Sequence, residues 1–203
     1  MATSIDFFDT RFAQQAQQGT GPLNPFESLA LPYLRGEVLD LGCGMGNLSF
    51  EAAARGCRVT ALDGSPVAVD HMRRRAAAEA LPVLAAGADL RHYRIEHDYD
   101  AVVAIGLLMF LDCTTALRLL ADLMHHVRPG GHAVVNVLVQ GTTYLDMFDA
   151  EGHCLLAPDA LRTHFSGWHI VHDEHHEFDA PGGTKKCFAT VIARKPGVTQ
   201  PAV

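Results

Sequence analysis

Apolar residues recur along the chain in two rhythms. Short, almost unbroken apolar runs alternate with stretches in which apolar positions return every three or four residues. The first rhythm suits buried strands and the second amphipathic helices. Residues 5–18 carry Ile5, Phe7, Phe8 and Phe12 among polar neighbours, which predicts a short N-terminal helix, and Gly19 to Pro25 break it. Strands are predicted over 37–42, Cys57–Leu62, Pro82–Ala88, Tyr99–Ile105 and His132–Val139. Helices fall between them. Residues 47–55 place Leu48, Ala52 and Ala53 on one face, and Ser65 caps a helix that opens on Pro66 and runs to about Ala80. Thr114–Val127 has Leu117, Leu120, Ala121 and Met124 at helical spacing, and Pro129-Gly130-Gly131 ends it. Between the third and fourth strands only Leu90 to Asp98 remain, enough for a loop and too few for a crossover helix.

The last third changes character. Pro158–Phe165 predicts a short helix, and Trp168–Glu177 and Lys185–Arg194 read as two strands around a turn at 179–183, hence an antiparallel hairpin. Strand and helix alternate before it, and right-handed crossovers turn that alternation into an open, doubly wound α/β sheet. One domain over 1–195 is expected, with 1–30 as an N-terminal helix and lid segment and 196–203 as a disordered tail.

Composition narrows the class. The 203 residues are 48% apolar and 19% charged, a globular balance. A chain of this size buries roughly 70% of its surface and needs no metal or disulfide to build a core. Five scattered cysteines, Cys43, Cys57, Cys113, Cys154 and Cys187, form no C-x-x-C pair. They speak against a disulfide framework and a cysteine zinc cluster, and they suit a reducing cytosol. A net charge of −7 without a basic run argues against nucleic acid and anionic membranes as partners. The first residues lack the basic and apolar regions of a signal peptide, and Ala101–Leu111 falls short of the ~20 residues of a membrane span. A cytoplasmic protein is expected, and its oligomeric state is left open.

The chemistry concentrates at strand ends. VLDLGCGMGN sets Gly42, Gly44 and Gly46 between the first strand and the first helix, with Asp40 just before them. Glycines there let backbone approach a ligand, and the helix start offers N–H groups to anionic atoms. The sixth position of a dinucleotide fingerprint is Asn47, not glycine, and no G-K-[ST] follows, so neither that fingerprint nor a P-loop is present. Asp63, 21 residues after Gly42, can accept from both ribose hydroxyls of an adenosyl ligand; alone it reads as a turn residue. Asp89 can accept from an adenine amino group, with Ala88 and Leu90 bordering the ring. Ile105, Gly106 and Leu107 lie at the same sheet edge, where Gly106 leaves room beside a cofactor.

Together these stretches resemble the class I S-adenosylmethionine (SAM) dependent methyltransferases: VLDLGCGMGN the glycine motif, ALDGSP the acidic motif of the second strand, ADL the adenine motif, and VRPGG the turn before the fifth strand. The resemblance implies SAM as cofactor and a Rossmann-like, doubly wound, seven-stranded sheet, mostly parallel with a C-terminal antiparallel hairpin. It implies cofactor contacts from Asp40, Gly42, Cys43, Gly44 and Gly46, from Asp63, Gly64 and Ser65, from Ala88, Asp89 and Leu90, and from Ile105, Gly106 and Leu107. LLMFLD (107–112), FSGW (165–168), EHH (174–176) and CFATVIARK (187–195) resemble more narrowly the tellurite-resistance, TehB-like methyltransferases. That group is associated with tellurite and selenite, and its acceptor-site histidine matches His176. Its next residue, basic in the group, is Glu177 here, and the later arginine has no clear match.

Methyl transfer to a small-molecule acceptor, tellurite, selenite or a thiol among the candidates, is therefore expected. A SAM-binding regulatory or scaffold protein without catalysis is the alternative. His176 can act as base or orienting donor, and Arg11, Lys185 or Lys186 can attract an anionic acceptor. Phe7, Phe8 and Phe12 can form a lid over the cofactor, or simply pack on the core. Twelve histidines hint at metal, but strict alternation puts His172 and His176 on one strand face and His169 and His175 on the other, so no three converge. No metal ligand is assigned. His125 and His126 suit the end of a helix dipole.

Overall fold

A computed structural model describes residues 4–18, 21–148 and 152–197, with side chains described from Phe8 to Gln15 in the first of these segments. Phe7's side chain and residues 198–203 of the expected tail lie outside the described residues. The chain folds as expected into a seven-stranded mixed sheet of order β3-β2-β1-β4-β5-β7-β6. β1 (Glu37–Leu41), β2 (Arg58–Asp63), β3 (Val83–Gly87), β4 (Tyr99–Ile105) and β5 (Val127–Leu138) are parallel, and β6 (His169–Ala180) and β7 (Thr184–Arg194) form the antiparallel hairpin.

Alternation along the strands divides the core between the two faces of the sheet. On β1, Leu39 and Leu41 enter a cluster with Leu119, Leu120 and Leu123 of α5 (Cys113–His125), whereas Val38 enters a second with Leu48 and Phe50 of α3 (Asn47–Ala54) and Met72 of α4 (Pro66–Glu79). Asp40 follows Val38 to the α3 side. Ser65 caps α4 as expected, accepting from the Ala68 amide at 3.1 Å. The segment 90–98 remains a loop. Arg118 holds it by donating to the Arg91 and Tyr93 carbonyls, and Asp122 holds it by accepting from the Ile95 amide.

Several expectations need correction. α5 ends at His125 rather than Val127, because Val127 already pairs with Tyr99 in β5; the strand's register then shifts, and Ala101 pairs with His132. Pro129-Gly130-Gly131 therefore sits inside that shift, not at a helix end. Two elements escaped the sequence reading: α2 (Pro25–Ala30) and the single 3₁₀ turn Leu31–Tyr33 after it. Asn24 and Glu27 close a reciprocal capping box at the start of α2, Asn24 Oδ1 accepting from the Glu27 amide at 2.9 Å and Glu27 Oε2 from the Asn24 amide at 2.7 Å. α1 (Ser4–Gln18) matches its expected span, and α6 (Ala160–His164) is shorter than expected.

The cysteine expectation also changes. Cys113, at the start of α5, is bonded to Cys154, 41 residues on, in the loop that leaves β5. The partners come together only because β5 carries the chain back over the sheet edge, and spacing alone does not show that. Cys43, Cys57 and Cys187 are free thiols. Among the described residues no helix is long and apolar enough to cross a membrane.

Candidate active site

The carboxyl ends of β1, β2, β3 and β4 open onto two adjoining cavities of about 820 and 380 Å³. Gly42, Gly106, Phe8, Phe12 and Phe110 line both. The Phe8 ring lies 5.7 Å from that of Phe12 and 5.1 Å, edge-on, from that of Phe110, so α1 reaches across the point where the cavities meet.

The glycine loop is shaped for close approach. Gly42, Gly44 and Gly46 all have left-handed φ, and a Cβ on each would come within 3.0 Å of Leu107, 3.2 Å of Phe12 and 2.4 Å of Met72. Asp63 ties the loop to β2: its Oδ2 accepts from the Gly44 amide and its Oδ1 from the Ser65 amide, each at 2.8 Å. Burial pushes the Asp63 carboxyl up, and these hydrogen bonds oppose the shift. The Ser65 hydroxyl donates to Asp9 of α1. Asp40 is 5% exposed and accepts from the Ser49 hydroxyl of α3 at 2.6 Å. Burial pushes its carboxyl up to about 7 against that hydrogen bond, and Glu27 and Asp63 add to the rise. Burial raises the Glu27 carboxyl as well. The Cys43 thiol, 3.4 Å from the Met72 sulfur, is held well up by burial and is no ready nucleophile.

All fourteen expected cofactor residues line one cavity or the other. Asp40, Cys43, Gly44, Gly46 and Ile105 face the larger, Asp63, Gly64, Ser65, Ala88, Asp89, Leu90 and Leu107 the smaller, and Gly42 and Gly106 both. Arg91 grips the Asp89 carboxylate with both prongs of its guanidinium, at 2.8 and 2.9 Å, and holds it below its ordinary value.

His176 does not line either cavity. It stands on β6, the strand beyond β7, one strand spacing further from the glycine loop. Its ring stacks on Phe178 and meets Phe26 edge-on, and its Nε2 lies 3.0 Å from Glu174. Its cross-strand partner Phe188 and its neighbour Phe26 do line the larger cavity, so His176 backs the wall they form. Lys185 pairs outward with Glu177, while Lys186 lines the larger cavity with its Nζ 4.6 Å above the Tyr144 ring; Arg11 of α1 lines it too. Burial and the Arg11 charge lower the Lys186 ammonium. Phe8 and Phe12, two of the three aromatics of the expected lid segment, line both cavities.

The sequence reading missed Asn24, Phe26 and Glu27 of the α2 region, Asn136 of β5, and Tyr144 and Met147 of the following loop, all lining the larger cavity. The capping-box pattern Asn24-x-x-Glu27 was a readable signal for the first three. The histidine faces differ as well. A bulge between Ile170 and His172 lets His169 pair with Arg194 and His172 with Ile192, so His169 shares the face of His172 and His176. Glu174 bridges the latter two, and among the described residues no cluster has the makings of a metal site.

A glycine-loop cradle, an acidic residue after β2 and a 3-2-1-4-5-7-6 sheet mark one class of domain, and this chain carries such a domain: that of the class I SAM-dependent methyltransferases, which take SAM as methyl donor. Residues 38–131 match the family described as "Methyltransferase domain". Among named relatives, hemagglutinin 1 of Eikenella corrodens is 32% identical over 79% of this chain and 55% of its own length. The probable SAM-dependent methyltransferase TehB of Haemophilus influenzae is 26% identical over 78% of this chain and 57% of its own length. The chain thus spans little more than half the length of these curated relatives. The crystal structure of Haemophilus influenzae TehB superimposes with a TM-score of 0.75 at 21% identity, covering 95% of this chain and 67% of that one. The N-methyltransferase NodS of Bradyrhizobium japonicum, in complex with S-adenosyl-L-homocysteine (SAH), gives 0.67 at 19% identity over 93% and 98%.

Proposed function

We propose that the chain transfers the SAM methyl group to a small anionic acceptor held in the larger cavity. The observation that carries this reading is the polarity of that cavity: Asp40 and Glu27 lie toward the glycine loop, whereas Arg11 and Lys186 come from α1 and β7. The residues present fit the cofactor. The three glycines leave a cradle that any Cβ would fill. Asp63 and Asp89 would hold the adenosine, with Leu90 and Leu107 beside the base, and Asp40 would receive the methionine ammonium. Bound SAM supplies an electrophilic methyl on a sulfonium, the S–CH₃ electron pair staying on sulfur as the acceptor's lone pair forms the new bond. The protein's part is to hold the acceptor in line and to keep water out, the work of Phe8, Phe12 and Phe110 over the junction of the cavities.

The TehB-like resemblance brings tellurite, selenite and thiolates forward as acceptors, soft nucleophiles that need no strong base. The test pairs calorimetry with SAM and SAH against a methyl-acceptor screen of tellurite, selenite, thiols, phenols and anionic arylamines, with headspace detection of volatile products and mass spectrometry of the others. Micromolar binding of both cofactor forms and turnover of at least one anion are expected. Lys186→Ala should raise KM for that anion about tenfold, a loss of roughly 1.4 kcal/mol, and leave SAM affinity within twofold. Failure of both SAM and SAH to bind sinks the reading, and binding without turnover of any acceptor leaves a SAM-binding regulatory protein.

A further inference from the structure

β5 and β7 lie on the far side of β4 from β1 and β2, whose ends carry the glycine loop and Asp63. Groups on β5 and β7 that line the larger cavity are therefore placed for the acceptor and not for the adenosine. One of them is unusual. Asn136 of β5 is 1% exposed, pairs in register with Ile105 on one side and Thr190 on the other, and lines this cavity. Its Nδ2 donates to the Thr190 hydroxyl at 2.8 Å, and its backbone carbonyl accepts from the Gly106 amide at 2.9 Å. Among the described residues its Oδ1 has no hydrogen-bond partner. A leucine in this apolar strand would fill the same space without a polar penalty. A buried amide oxygen left unpaired by the protein is costly, and its natural complement is a donor on a ligand.

We infer that Asn136 is an acceptor-binding residue, and that the acceptor is a weakly basic amine carrying an anionic group and an apolar body. The inference rests on the small-anion reading above and selects among its anions. The amine N–H donates to Asn136 Oδ1, Lys186 and Arg11 receive the anion, and Phe26 and Phe188 cover the body. A thiolate or a fully deprotonated oxyanion has no proton to give Asn136. A hydroxyl acceptor needs a base, and among the described lining residues of β5, β7 and the loop between them there is no histidine and no carboxylate, the cavity's two carboxylates, Asp40 and Glu27, lying toward the glycine loop. An arylamine is neutral near pH 7, gives its lone pair directly, and loses one proton to solvent once the N–CH₃ bond has formed.

The experiment uses the full chain saturated with SAH and two probes of like shape, 4-aminobenzoate and 4-methylbenzoate, titrated by calorimetry. The aminobenzoate should bind at least tenfold more tightly. Asn136→Leu should reduce that ratio below threefold with SAH affinity within twofold of wild type, and Asn136→Asp, which keeps the acceptor oxygen, should restore it. Asn136→Ser, too short to reach, takes the place of the leucine variant if that one does not fold. With SAM in place of SAH, mass spectrometry should find N-methylated aminobenzoate. Equal binding of the probes by the wild type, a preference that survives Asn136→Leu, or binding of neither probe while SAH binds normally overturns the inference and leaves the methyltransferase reading standing. Failure of SAH itself to bind falsifies that reading instead.

Discussion

Asp40 shows how one residue carries both fold and chemistry. Alternation along β1 sends it to the α3 side, where it is enclosed with, among the described residues, only Ser49 as a side-chain hydrogen-bond partner. Its carboxyl is pushed up to about 7 by burial, far above its value in an unfolded chain, so between about pH 4 and 7 the folded state binds the extra proton. The free chain should therefore lose stability as pH rises through that window, with a slope of up to about 1.4 kcal/mol per pH unit from this group. Denaturant titrations at pH 5 and pH 8 check the sign: Asp40→Asn should flatten the slope, and an unchanged slope assigns it elsewhere. A cation placed beside Asp40 favours the ionised form, so SAM affinity should increase from pH 6 to pH 8 in the wild type and not in Asp40→Asn. The glycines, Asp40, Asp63 and Asp89 were legible because a backbone constraint or a charge at a strand end has a local signature. Asn136 was not, since an asparagine within an apolar run gains its meaning from Thr190, a residue 54 positions away.

At the scale of elements, the strands with continuous apolar runs were readable and their irregularities were not. The bulge between Ile170 and His172 reverses the face of His169, and the shift between Tyr99 and Ala101 extends β5 back to Val127. Both are decisions made by a partner strand, invisible to period counting along one segment. The displacement of His176 from the cavity has the same origin: motif matching located the residue, and the order β7-β6 set it one strand too far out. The Cys113–Cys154 bond is another long-range decision. It ties the start of α5 to the loop that bears Tyr144 and Met147 on the cavity wall and Gly152 on the smaller cavity. Closing a loop with a sequence separation of 41 stabilises a fold by roughly 3–4 kcal/mol. Cys113→Ser should lower the urea midpoint accordingly, and a dithiol reductant should lower the wild type to the same point without further effect on the variant. An additional loss in the variant on reduction would assign the effect to another thiol.

On the whole molecule, the doubly wound class followed from the alternation of strand and helix, whereas the construction of the acceptor side from α2, β5, β7 and a long loop did not. Those parts meet only when the sheet is assembled. The three buried clusters include no described residue of α1, which nonetheless places Phe8 and Phe12 on both cavities. Removing residues 1–20 should therefore shift the thermal midpoint by no more than a few degrees yet weaken SAM binding at least tenfold. Thermal unfolding and calorimetry on the shortened chain separate the two, and a collapse in stability would make α1 part of the core. The shared wall has a consequence for traffic. On the proposed reading, a helix that lines both donor and acceptor rooms should couple them, each ligand lowering the ordering cost that the next one meets, by the same factor in either direction.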